Sequence, residues 1–108
     1  MTSAVHCHDA KVRCCAMQGS LVAAGDEAKK LIIRNLKTGD TVHSFGHDDW
    51  VLCCAIQGTL VAAGDDAKKL IIRNLKTGDT VHSFDHKGAV LCCAMQGGLV
   101  AAGDHANN

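Results

Sequence analysis

The chain repeats itself almost without change at a period of 39 residues. Residues 21–45 return as residues 60–84 with one difference in 25 positions, where Glu27 becomes Asp66. The segment before them returns as well, and the third pass stops about half a unit short. A fixed period of about 20 to 50 residues is typical of stacked supersecondary units, none of which buries its apolar face alone. The sequence therefore predicts two complete units and a partial third.

Each unit predicts an antiparallel meander of four short strands. The first apolar run of the second unit ends at Gln57 and Gly58, a signal for a tight hairpin. A polar turn is expected over residues 64–69, and the last run alternates as a half-exposed edge strand does. Helices are excluded because every apolar run soon ends at a glycine or a charged turn. The predicted fold class is all-β, with strands at residues 51–56, 60–63, 70–73 and 80–84.

Several short motifs give the repeat a family resemblance. Four-stranded sheets repeated about every 40 residues are typical of β-propeller blades. Gly46-His47 matches the Gly-His pair of the WD-repeat family, and His86 and His8 stand at the same phase of their units. Nearly the whole chain resembles a WD-repeat β-propeller. The other matching segments are residues 62–66, residues 70–75, which resemble the strand ending in Trp-Asp, and the turn at residues 76–78.

The departures from the family pattern concern its buried hydrogen-bonded set of His, Ser or Thr, Asp and Trp. Ala63 stands at the Ser/Thr position and Ala67 at the Asp position, while Arg73 and Asn74 replace the Trp-Asp pair. Asp65 or Asp66 could partly replace the missing carboxylate. Because a polar network has its full value only when complete, we expect less tightly specified blades than the family norm.

Charge and composition exclude several classes of function. The chain has 11 Lys plus Arg and 11 Asp plus Glu, which gives no basic surface for nucleic acid or an anionic membrane. No apolar run reaches the roughly 18 residues of a membrane helix, and the first residues lack the features of a signal peptide. We therefore expect a cytoplasmic protein without nucleic-acid or membrane partners.

Six of the seven cysteines form adjacent pairs inside apolar strands. Neighbouring residues of a strand point to opposite faces, so Cys53 and Cys54 should meet different surroundings. Their recurrence in every unit indicates packing in a reducing compartment rather than one catalytic site. Adjacent cysteines in a strand also cannot readily chelate one zinc ion. The sequence predicts no catalytic residue, no cofactor and no metal site.

The segment around His6 and His8 leaves an alternative open. These two imidazoles share one face if the segment is extended, which would permit a weak transition-metal contact. The other interpretation is a solvated strand with no ligand.

The candidate partner-binding residues lie in two loops that precede and follow strands of the second unit. Trp50, the only tryptophan, is either an exposed anchor for a partner or a partly buried cover over a strand end. The charges nearby are either part of that surface or a self-compensating, solvated cluster. The full candidate set is Asp48, Asp49, Trp50, Asp65, Asp66, Lys68 and Lys69.

These observations predict a single partial propeller domain over residues 1–108, with repeats at about 12–50, 51–89 and 90–108. The expected function is a non-enzymatic scaffold whose ring is completed by further copies of the chain, as a dimer with six blade positions or a trimer with eight or nine. One alternative is a docking module for a protein or peptide, as the family resemblance implies. Another is that the near-identical units record a recent duplication or a design, without a selected function.

Overall fold

The structure is a computed structural model that describes residues 10–105. Ten strands form three antiparallel sheets, in the order β1-β2-β3-β4, β5-β6-β7-β8 and β9-β10. This confirms the predicted all-β class and the four-stranded blades. The strands are β1 Val12–Gln18, β2 Leu21–Asp26, β3 Lys30–Asn35, β4 Thr41–Gly46, β5 Val51–Gln57, β6 Leu60–Asp65, β7 Lys69–Asn74, β8 Thr80–Asp85, β9 Val90–Gln96 and β10 Leu99–Asp104.

The turns have the chemistry that their sequences predict, with one boundary moved. Gly58 adopts a positive φ of 58° between β5 and β6, in the left-handed region where glycine has no steric penalty. The polar turn is shorter than the predicted 64–69, because Gly64 pairs with Leu70 inside the sheet. Only three residues then remain between β6 and β7, and the tight turn places Lys68 at a φ of 70°.

A β-bulge near the start of β5 decides which side chains face which sheet. Val51 pairs with Asp65 and Cys53 with Gly64, so Leu52 is an extra residue in the strand. Beyond the bulge the cysteines alternate as predicted. The Cys54 thiol lies 3.8 Å from the carbonyl oxygen of Ala23 in the first sheet, and the Cys53 thiol lies 3.7 Å from that of Val90 in the third.

The sheets stack face to face, and the cores lie between them. At the first junction, between sheets one and two, Val51 is fully buried above Gly25. At the second junction, between sheets two and three, Val90 is fully buried above Gly64 in the same way. Each glycine forms a hollow that the valine of the next sheet fills. The other buried apolar side chains of the two junctions are Ala23, Leu31, Ile33, Val61, Ala63 and Leu75 at the first, and Cys53, Ala62, Leu70 and Ile72 at the second.

The third sheet has two strands among residues 10–105, and no strand of this range pairs with the outer edge of β10. Within residues 10–105, no further sheet packs on its forward face, which points away from the second sheet, or on the back face of the first sheet. Leu99 is 78% exposed on the third sheet, and Met17 is 62% exposed on the first.

Candidate functional site

The two candidate loops meet at one rim of the sheet stack. The backbone N–H of Asp66 donates to the carbonyl oxygen of Trp50 at 2.9 Å, which joins the loop before β5 to the turn after β6. Lys69 Nζ lies 3.0 Å from Asp48 Oδ2 across the same gap. The hydrogen bond between them lowers the pKa of Asp48 and raises the pKa of Lys69, because it favours the charged form of each group.

Trp50 is partly covered and partly exposed, so it has features of both alternatives left open by the sequence, an exposed anchor and a partly buried cover. Its side chain is 39% exposed at the rim. The Arg13 guanidinium covers part of the ring at 5.4 Å from its centroid, and Arg13 also bonds Glu27 at 3.1 Å. The indole is therefore held in place by a cation and still offers apolar surface. Asp66 and Lys68 are exposed in the turn after β6, and Asp49 accepts a hydrogen bond from the Trp50 N–H.

Asp65 does not belong to this surface, which corrects the candidate set. The residue is fully buried, and its Oδ2 lies 2.8 Å from His47 Nδ1. Its Oδ1 accepts the backbone N–H of Lys69 at 3.0 Å and so closes the turn. Sequence reasoning could not separate the roles of Asp65 and Asp66, because they are adjacent carboxylates in one predicted turn.

Arg73, His47 and Asp65 form a buried chain of hydrogen bonds across the first junction. Arg73 Nη1 lies 2.9 Å from His47 Nε2. A guanidinium only donates, so Nε2 must be the acceptor and Nδ1 must carry the proton that it donates to Asp65. His47 is therefore the neutral Nδ1 tautomer. Burial lowers the pKa of His47 and that of Arg73, although a guanidinium stays protonated at any pH relevant here.

The chain of bonds shows which of the two candidate carboxylates replaces the missing one, because Asp65 bonds His47. Asp65 supplies the carboxylate that Ala67 lacks, and Arg73 takes the position of the family tryptophan. Arg73 also lies over the Phe45 ring at 4.6 Å and donates to the carbonyl oxygen of Gly46 at 3.2 Å. The sequence signal for this role was an arginine inside an otherwise apolar strand, present in both full units. At the second junction His86 Nδ1 lies 2.9 Å from Asp104 Oδ2, which repeats the His-Asp bond.

The six cysteines of the strands are free thiols in the structure. Those of neighbouring sheets meet at the junctions: Cys14 contacts Cys54, and Cys53 contacts Cys93. A hydrogen bond from Cys54 lowers the pKa of Cys14, and the same contact together with burial raises the pKa of Cys54 well above its usual range. Their hydrogen bonds to main-chain carbonyls fit the structural role expected for them.

Within the described range, no group of three or more His, Cys, Asp or Glu could hold a metal ion. His6 and His8, which carried the alternative of a weak metal contact, lie outside residues 10–105. No helix in the described part of the chain is long and apolar enough to cross a membrane.

Several solved structures share this architecture. U3-55K matches with a TM-score of 0.85 at 23% identity, over 93% of this chain and 35% of its own. The WD40 repeats of RRP9 match at 0.84 and 23% identity, over 93% of this chain and 34% of theirs. The chain has the WD-repeat β-propeller fold. The propeller domain of Cps50 (Swd1) from Myceliophteria thermophila matches at 0.82 and 16% identity, over 91% of this chain and 34% of its own.

The chain thus spans about a third of the length of the propellers it matches. The structural matches show a shared fold, but at sequence identities of 16% to 23% the roles of individual residues cannot be transferred to this chain. No protein-family model matches the chain, and comparison with the curated proteins finds no match either.

Proposed function

We propose that this chain is a non-enzymatic propeller module that assembles with further copies of itself, through the open faces of its first and third sheets. One observation carries the proposal. On the two strands that all three sheets share, most residues of the two open faces stand at the same phase of the repeat as residues that are buried where the sheets of one chain stack on each other. A surface built to pack against a neighbouring blade has its complement at the other end of the same molecule, which is the condition for head-to-tail association.

The valine and glycine positions illustrate the match. Val51 is 0% exposed in its junction, whereas Val12, at the same phase of the first unit, is 47% exposed. Gly103 stands at the phase of Gly25 and Gly64. A Cβ built on Gly103 would meet only the Cys92 thiol, so its hollow contains no valine. In a head-to-tail assembly, Val12 of one copy fills the hollow over Gly103 of the next.

The thiols follow the same rule. Within the chain, the first cysteine of each pair contacts the second cysteine of the following sheet, as Cys14 contacts Cys54. Continuing the series brings Cys92 of one copy against Cys15 of the next. Both residues are exposed in the structure, which agrees with their positions on open faces.

Light scattering coupled to size exclusion tests the association. We expect a closed oligomer of discrete size, and a shift towards monomer in Val12→Asp, because a carboxylate cannot enter the apolar hollow without an ion partner. Val42→Asp is the matched control, since Val42 is similarly exposed at 43% but lies on the outer strand β4. A stable monomer at 11.3 kDa, or equal effects of the two variants, would refute the proposal.

Oxidative cross-linking tests the contact itself. Diamide removes one hydrogen from each of two touching thiols and joins them as a disulfide. In a Cys7→Ser background, we expect covalent multimers on a non-reducing gel, lost in both Cys15→Ser and Cys92→Ser. Cys14→Ser should retain the multimers, because Cys14 faces the second sheet of its own chain.

The rim around Trp50 supports a second function, the docking of a protein or peptide. The indole contacts Arg13 of the Arg13-Glu27 pair, and the Asp48-Lys69 pair joins the same two loops, an arrangement suited to an apolar side chain flanked by polar groups. The remaining rim candidates are Asp49, Asp66 and Lys68. A Trp50→Ala variant should lose affinity for a partner peptide and keep its oligomeric mass. The free thiols agree with a reducing compartment such as the cytoplasm.

A further inference from the structure

A groove runs along the outer edge of β10, between the third sheet and the last strand of the second. Its volume is about 270 Å³, and its lining includes Ile72, His82, Phe84, Met95, Leu99 and Val100. A second depression, beside Phe84, His86 and Ala102, lies along the same strands. The floor is apolar, and one wall is the β10 edge, with which no strand in residues 10–105 pairs.

The corresponding place at the first junction is occupied by the third strand of the second sheet. There Arg73 lies over Phe45 and donates to His47 and to the Gly46 carbonyl oxygen. Two residues after Arg73, the carbonyl oxygen of Leu75 accepts a hydrogen bond from His43 Nε2 at 2.6 Å, and the Leu75 side chain is buried in the core. At the first junction, β7 therefore serves as an example of a strand that fits the position of this groove and of the contacts that such a strand makes.

We propose that the groove beside β10 binds an extended peptide strand that has apolar, arginine and apolar side chains at alternate positions. The peptide adds to the edge of β10 as a third, antiparallel strand. Its backbone pairs with β10, while its alternate side chains enter the groove. The site lies within a single chain, so it does not depend on the self-association proposed above.

The β6-β7 pairing gives the register. Arg73 pairs with Val61 and Leu70 with Gly64, so the peptide arginine lies opposite Val100 and its first leucine opposite Gly103. The apolar side chains that enter the groove with the arginine are those two positions before it and two positions after it in the peptide.

The groove already holds the groups that would receive this arginine. Phe84 is 42% exposed and stacks against His82 at 5.5 Å, as Phe45 stacks against His43 at 5.1 Å. His86 bonds Asp104 through Nδ1, which leaves its Nε2 in the position that accepts Arg73 at the first junction. Asp85 replaces Gly46, so a carboxylate joins the carbonyl oxygen that an arginine would bond. The charge at this position favours a cationic side chain.

The probe is a synthetic, end-blocked peptide with the sequence of residues 69–75, Lys-Leu-Ile-Ile-Arg-Asn-Leu. Calorimetric titration should show one peptide bound per chain. The same peptide with glutamate in place of arginine should bind at least about tenfold more weakly, because it loses the ring contact and the charged hydrogen bonds. This comparison leaves the protein unchanged, so a folding defect cannot imitate it.

Hydrogen exchange and one variant locate the peptide. Binding should slow amide exchange in β10 and leave β1 unaffected, because only the β10 edge gains hydrogen bonds. Phe84→Leu should weaken binding about tenfold, whereas Met17→Ala, on the opposite end of the stack, should not change it. Absence of binding at millimolar peptide, equal affinity for the arginine and glutamate peptides, or protection outside β10 would each overturn the proposal.

Discussion

Replacing Gly64 with alanine should destabilise the fold by about 3 kcal/mol, because the second junction has no room for a methyl group. A Cβ at this position would lie 2.7 Å from Val90 Cβ and 2.7 Å from Cys53 Sγ. Rotation about χ1 moves the methyl groups of Val90 but leaves its Cβ in place, so no rotamer relieves the first contact. The two sheets must move apart, so the loss of unfolding free energy should lie at the upper end of the values typical of overpacked cores.

Chemical denaturation followed by Trp50 fluorescence measures this loss. For a domain of this size, about 3 kcal/mol corresponds to a fall of at least roughly 12 °C in Tm. Gly46→Ala is the matched control, since nothing lies within 4 Å of a Cβ at Gly46, and we expect a change below about 0.5 kcal/mol. Gly103→Ala extends the comparison: it should weaken self-association and leave the unfolding of the dissociated monomer nearly unchanged. A Gly64→Ala protein as stable as the Gly46→Ala protein would refute the stacking of sheets described here.

Three further predictions concern titration, thiols and metal. The free energy of unfolding should fall as pH drops below about 6.5, because burial lowers the pKa of His47 and the unfolded chain takes up the proton first; denaturation midpoints of the wild type that match those of His47→Gln at every pH would contradict this. Iodoacetamide should modify Cys15 only once the copies of the chain dissociate and Cys53 only on unfolding, and mass spectrometry of freshly purified, unreduced protein should show no stoichiometric intrachain disulfide. Added zinc should leave the midpoint unchanged, and a large shift that disappears in a His6→Ala, His8→Ala variant would be the opposite result.

The repeat and the turn residues were sufficient to predict the strands. The hairpin at Gly58 and the apolar runs on both sides of it gave the order and the number of strands per sheet. The Gly64 boundary was wrong because turn chemistry was judged from local sequence, whereas this glycine stays in the sheet to accommodate Val90 of the next one. Such a close approach depends on tertiary packing between two sheets, and a local sequence pattern does not encode it.

The buried polar chain was predictable only in part. The position of His47 follows from the period, but its partners depend on the pairing of β6 with β7 and on which of two adjacent carboxylates points inward. Arg73 was missed because it occupies a position where the family has an aromatic residue, and a replacement of that kind looks like a loss. The structure shows a cation that serves the same junction through hydrogen bonds and a ring contact.

The identity of the two internal junctions also bears on how such a protein can change in length. Because Val51 meets Gly25 as Val90 meets Gly64, a blade inserted or removed as a whole 39-residue unit would find the same neighbours on both sides. Nearest-neighbour contacts of this kind make stability roughly additive along the stack. Unequal recombination between the two nearly identical copies would therefore keep both junctions in a product that gains a unit. Blade number can then increase, while every surface that joins the blades stays the same.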